Sequence, residues 1–185
     1  MVKDALKAAE DHMRKSVEVL EQDLKVIRTG RASPALVERL PVSYYGTPTP
    51  LEQLATISAP EPQLLTIRPY DPASLKDIER AILASELGLT PNNDGKLIRL
   101  QIPRLTEERR HELIKIVHKR VEETRVAVRN VRREAQDRLR DAQKDKLISE
   151  DDLKRGRDDL QKVTDKVMEQ VEAVGQRKED EIREV

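Results

Sequence analysis

The stretch IRTGRASPAL, Ile27 to Leu36, is where one pattern in the chain stops and another begins. Before it, Leu6, Ala9, Met13, Val17, Leu20, Leu24 and Ile27 recur at three and four residues, the single apolar seam of a helix running from Asp4 to about Thr29. Gly30 stands where such a helix would stop. All ten prolines and all three tyrosines then fall between Arg31 and Leu105, and prolines at that density exclude long helices. The chain therefore reads as a helical domain of residues 1–30 and 105–185, interrupted by an inserted domain at 31–104. Two connections join them, Arg31, Ala32, Ser33 and Pro34 on one side and Pro103, Arg104 and Leu105 on the other. A two-strand connection of this kind can act as a hinge.

Beyond Pro103 the seams resume. A second helix opens at Thr106, with Glu108 and Arg109 behind it, and runs to about Lys146, roughly 60 Å at 1.5 Å per residue. Its apolar stripe is Leu113, Val117, Val121, Thr124, Val128, Val131, Ala135 and Leu139. Ser149, with Asp152 three residues on, caps a third helix whose seam is Leu153, Leu160, Val163, Val167, Val171 and Val174. Three helices with one narrow stripe each bury those stripes most simply against one another. Within the insertion, PVSYYG, ATIS, LLTIRPY and KLIRLQIP read as short strands, the last following a turn at Asn93-Asp94-Gly95. One amphipathic helix, opened by Ser74 with Asp77 and closed near Gly88, carries Leu75, Ile78, Ile82, Leu83 and Leu87. The fold class is α+β, a three-helix bundle with an inserted small α/β domain.

Composition agrees with narrow seams. Of 185 residues, 37% are hydrophobic and 38% charged, with no Trp and no Phe, so aliphatic stripes and not a thick aromatic core must hold the helices. The 35 basic and 35 acidic residues cancel, so polyanion binding requires a local patch. Cysteine is absent, which removes disulfides, thiolate metal sites and a Cys nucleophile. Residues 1–30 hold no apolar leader-like run and nowhere do 18 apolar residues run together, so the expectation is a soluble cytoplasmic protein that is not exported and has no membrane partner.

The local patch is RVAVRNVRRE, Arg125 to Glu134, which places four arginines among three valines and an alanine. On a helical wheel Arg125, Arg129, Arg132, Arg133, Gln136 and Arg140 form a stripe roughly 120° from the apolar one. Two readings compete. A solvated face would pair its arginines with acids three or four residues away. No acid stands between Arg125 and Arg133, however, and the guanidinium fork suits bidentate phosphate contacts, which points to RNA or another polyanion. Catalytic chemistry is not evident. His12, His111 and His118 are scattered without a carboxylate pattern, and GLTPNNDGKL lacks the spacing and the Ser or Thr of a phosphate loop. Glu150, Asp151 and Asp152 are explained by a helix start. No catalytic residue, metal site or cofactor is expected.

Six stretches together, IRTGRASPAL, YYGTPTPLEQLA, ELGLTPNNDGKLIRL, LTEERR, RVAVRNVRRE and ISEDDLKR, strongly resemble the bacterial ribosome recycling factor family, in order and over essentially the whole chain. Glu86 departs mildly, standing where the family commonly has Asp before Leu87-Gly88-Leu89. The resemblance implies an L-shaped molecule with a bundle as its long arm and the α/β domain as its short one. It implies a non-enzymatic monomer that binds the large ribosomal subunit after termination and, with elongation factor G and GTP, dissociates the ribosome. By position it implies ribosomal RNA contacts at Arg129, Arg132 and Arg133, with Arg28, Arg31 and Arg110 beside them. Arg125 joins this set through the stripe.

Overall fold

In the computed structural model, which describes residues 1–184, the chain separates into two compact units, Met1–Arg28 with Glu107–Glu184 and Thr29–Thr106. In chain order the elements are α1 (Val2–Lys25), β1 (Pro41–Tyr44), β2 (Thr47–Pro50), α2 (Leu51–Leu54), β3 (Ala55–Glu61), β4 (Leu64–Pro69), α3 (Leu75–Ala84), β5 (Pro91–Asn93), β6 (Ile98–Gln101), α4 (Glu107–Lys144) and α5 (Glu150–Arg183).

The first unit is a bundle of α1, α4 and α5. Arg125 meets Glu172 and Arg132 meets Gln161, so α5 numbers fall as α4 numbers rise and the two helices run antiparallel. The apolar stripe expected on α4 is buried throughout, from Leu113 to Leu139. On α1 the seam is buried from Ala9 to Leu24, but the helix stops at Lys25, short of the expected Thr29. The α5 seam needs correction. Leu153 and Val163 are only half-buried, while Gly156, Thr164, Gly175 and Ile182 are fully enclosed beside Leu160, Val167, Val171 and Val174. Hydropathy spacing overlooks glycine, yet glycine lets the helices approach: a Cβ on Gly175 would stand 2.6 Å from Val121 Cγ2. Enclosed Thr164 satisfies its hydroxyl by donating to the Leu160 carbonyl at 2.8 Å.

The link between α4 and α5 is closed at both ends by local hydrogen bonds. Leu147 N–H donates to the Ala142 carbonyl at 2.8 Å and Lys146 N–H to the Gln143 carbonyl at 3.0 Å, the paired bonds of a Schellman stop. Lys146 takes the left-handed conformation there, φ 58°, a place more often held by glycine. Across the link Ser149 accepts from Asp152 N–H at 3.1 Å, and the Asp152 carboxylate accepts from Ser149 N–H at 3.3 Å, a complete capping box. The Ser149 hydroxyl and backbone hold the Asp152 carboxyl below its ordinary range.

The second unit sets a four-stranded antiparallel sheet, order β3-β4-β6-β5, beside the β1–β2 hairpin. Alternation on β4 and β6 buries Leu65, Ile67, Ile98 and Leu100, which share one core with Ile78 and Ile82 of α3 and Val42 of the hairpin. Three features depart from the expectation. TPTP forms strand β2, because a two-stranded hairpin has free edges where the missing proline N–H is harmless. Helix α3 stops at Ala84, short of Gly88, so Leu87 lies beyond it, and Leu83 is exposed and not part of its buried face. Ser74 makes no side-chain cap; its hydroxyl donates to the Asp71 carbonyl at 2.7 Å, and Asp71 instead accepts from Ala73 N–H at 3.0 Å. The same Asp71 carboxylate accepts from Tyr44 at 3.4 Å, and burial followed by that charge raises the Tyr44 phenol above its ordinary pKa.

Candidate nucleic-acid interface

Helix α4 is about 57 Å long at 1.5 Å per residue, and its buried line leaves the remaining circumference free for charge. Arg125, Arg129, Arg132 and Arg133 follow one another along about 12 Å of this helix, beside α5. Their surroundings differ. Arg125 Nη1 donates to Glu122 Oε2 at 2.9 Å, and its Nη2 is ion-paired with Glu172 of α5. Arg129 Nη1 reaches the other oxygen of Glu122 at 3.4 Å. The hydrogen bond from Arg125, and after it that from Arg129, holds the Glu122 carboxyl below its ordinary pKa, so this carboxylate is charged at neutral pH.

Arg132 has a different neighbour. Its Nη1 donates to the neutral amide oxygen of Gln161 at 3.3 Å, and Gln161 is held in turn by donating to Asp165 Oδ1 at 2.8 Å. The Arg132 Nε is enclosed and has no hydrogen-bond partner among the described residues. Arg133 is exposed and makes no hydrogen bond or ion pair among the described residues. Arg140, further on, lies 3.6 Å from Asp137. Within Arg125–Arg133 the stripe is thus divided into an N-terminal half neutralised by Glu122 and Glu172 and a C-terminal half, Arg132 and Arg133, whose charge meets no carboxylate among the described residues.

This corrects the expectation that the arginines lack partners. Glu122 sits three residues before Arg125 and seven before Arg129, one and two helical turns away, so the sequence held that signal. Glu172 and Gln161 come from α5, and nothing in the spacing of α4 points to them.

The other expected contact residues are dispersed. Arg110 lies in the first turn of α4, about 22 Å along the helix from Arg125, with an enclosed Nε that has no hydrogen-bond partner among the described residues. Arg28 is exposed beyond the end of α1, and Arg31 belongs to the second unit. The expected hinge residues Arg31, Ala32, Ser33, Pro34, Pro103, Arg104 and Leu105 all lie inside that second unit, and the crossings between units fall at Arg28–Thr29 and Thr106–Glu107. Both connections are fastened to the β3–β4 turn: Ala32 N–H donates to the Pro62 carbonyl at 2.7 Å and Arg104 Nε to Gln63 Oε1 at 2.9 Å. Gly30, at φ 75°, packs where a Cβ would lie 3.1 Å from Leu105 Cγ, which explains glycine at this position.

The chemistry of the remaining groups is structural. His118 Nε2 lies 3.2 Å from Glu179, and no group of three or more His, Asp or Glu able to hold a metal occurs among the described residues. No helix among them is long and apolar enough to cross a membrane. In the GLTPNNDGKL segment Asp94 closes the β5–β6 turn, accepting from Leu97 and Lys96 N–H at 2.9 Å each and from Arg99 at 2.9 Å.

Residues 20–182 match the family model described as ribosome recycling factor. The chain is 56% identical over 182 residues to the ribosome-recycling factor of Carboxydothermus hydrogenoformans, covering 98% of each chain. It is 52% identical to that of Syntrophomonas wolfei, covering the whole of both. A solution structure of ribosome recycling factor superposes with a TM-score of 0.74 at 44% identity, over 100% of this chain and 98% of that one. Models of the T. thermophilus ribosome recycling factor and the E. coli elongation factor G bound to the E. coli post-termination complex include a chain similar at TM-score 0.63 and 46% identity, over 98% of each.

Proposed function

Because this chain belongs to the ribosome recycling factor family, we propose that it binds the large ribosomal subunit after termination and, with elongation factor G and GTP, separates the post-termination ribosome into subunits. It is a translation factor and not an enzyme. The observation that carries the reading is the whole-length similarity to a ribosome recycling factor described, with elongation factor G, as bound to a post-termination complex. The bacterial cytoplasm is the compartment this activity requires, and the monomer is the proposed working form.

The geometry supports a physical route. Arginine contacts to phosphates position a protein on structured RNA without reading bases, so a rigid helix carrying Arg132 and Arg133 can anchor by shape and charge. Arg125 and Arg129 extend that anchor, and Arg28, Arg31 and Arg110 are proposed as outlying contacts. The second unit need not be held by the same contacts. In this reading it turns about the two crossings beside Arg31–Pro34 and Pro103–Leu105 while the bundle stays bound, and the translocase supplies the push. The test is light scattering of post-termination ribosomes mixed with elongation factor G and GTP. Addition of the protein lowers scattering as subunits part; unchanged scattering with ribosomes from several bacteria overturns the proposal.

A further inference from the structure

Two carboxylates confront two of the four arginines, and their placement suggests more than surface pairing. Glu122 presents one oxygen to Arg125 and the other to Arg129, at 2.9 and 3.4 Å, the way a phosphate would bridge two guanidinium groups. Glu172 approaches Arg125 from the neighbouring helix. Two positive and two negative groups then sum to zero at this half of the stripe, whereas Arg132 and Arg133 retain their charge. We propose that Glu122 and Glu172 form a built-in anion clasp that occupies Arg125 and Arg129 until RNA phosphates displace it, holding affinity low enough for release. This rests on the reading that the stripe binds ribosomal RNA.

The clasp is about half exposed, with side-chain exposure of 53% at Glu122 and 59% at Glu172, so an incoming phosphate reaches the same guanidinium groups without dismantling the core. Exposed pairs of this kind are weak, and a polyanion with several phosphates outcompetes them. Until it does so, each carboxylate screens an arginine and repels the approaching backbone. Initial docking therefore falls to Arg132 and Arg133, and Arg125 and Arg129 engage afterwards.

The experiment is the affinity of the full chain for purified large ribosomal subunits across a salt series, with Glu122→Gln, Glu172→Gln and the double variant Arg132→Ala/Arg133→Ala. Helical circular dichroism confirms folding, which is expected because all four side chains lie outside the core. Glu122→Gln binds about two- to fivefold tighter at low salt, the range of an exposed ion pair. Its salt dependence steepens by about one in log–log slope, since the freed Arg129 releases a further counterion while Arg125 stays paired with Glu172. Glu172→Gln moves in the same direction by less, because Arg125 keeps its bond to Glu122. If the arginine double variant binds weakly while Glu122→Gln binds no tighter than the parent, the clasp is refuted and the stripe reading stands. If the arginine double variant also binds like the parent, the stripe reading falls and the clasp falls with it.

Discussion

Along the bundle the buried residues lie in a line, Val117, Val121 and Val128 on α4 and Val167, Val171 and Gly175 on α5, whereas in the inserted unit they close into one cluster drawn from Val37 to Ile102. A line leaves most of each helix surface free. The bundle can therefore carry a cationic stripe that takes no part in holding it together. A cluster draws elements toward one point, so β1, β3, β4, β6 and α3 depend on the same few side chains. Working surface and stability are separable in the first case and entangled in the second.

The two regions also report on themselves independently, since all three tyrosines lie in the inserted unit and the long helices lie in the bundle. Tyrosine fluorescence follows one and far-ultraviolet circular dichroism the other. The largest effect is expected from Ile67→Ala, a side chain with no exposure at the centre of the cluster, which should cost about 2–5 kcal/mol. In urea the tyrosine transition moves down while the helical one holds; a matched shift of both signals would mean the units do not unfold separately. Gly175→Ala tests the line in the opposite way. The added methyl meets stiff, β-branched Val121, so about 1–3 kcal/mol should be lost from the helical transition alone.

Smaller effects sharpen the contrast. Ser149→Ala removes one half of the capping box and should lower bundle stability by about 1 kcal/mol, read from the helical midpoint. The smallest belongs to acid titration of the insertion. The Leu97 and Lys96 N–H groups, with Arg99, hold the Asp94 carboxyl at about 2 against an ordinary 3.8. A folded-state pKa below the unfolded one stabilises fully above 3.8, and that stabilisation fades as pH falls from 3.8 towards 2. Asp94→Asn should flatten this acid limb in the tyrosine signal and leave the helical signal as it was.

The same contrast explains what could be read from the sequence. Repeating aliphatic positions such as Leu113, Val117 and Val121 expose a helical seam because 3.6-residue periodicity is local, and the proline distribution marks the insertion equally well. The α5 seam departs from its hydropathy pattern at Leu153 and Val163 because close packing is carried by Gly156 and Gly175, which no hydropathy pattern counts. Strand β2 was hidden because its prolines are tolerated only by its edge position, a tertiary fact. At the candidate site the direction of the arginines was legible and their charge balance was not. Glu122 lay within reach of a turn-by-turn count, but Glu172 and Gln161 enter from another helix.

The central claim, that the C-terminal half of the stripe anchors the factor during recycling, is tested most directly by subunit splitting with two double variants. Arg132→Ala/Arg133→Ala is compared with Arg125→Ala/Arg129→Ala, using light scattering with elongation factor G and GTP at equal helical melting temperature. The account predicts that the first pair loses most of the splitting rate and the second pair little. Parental rates from the first pair, or a greater loss from the second, would contradict it.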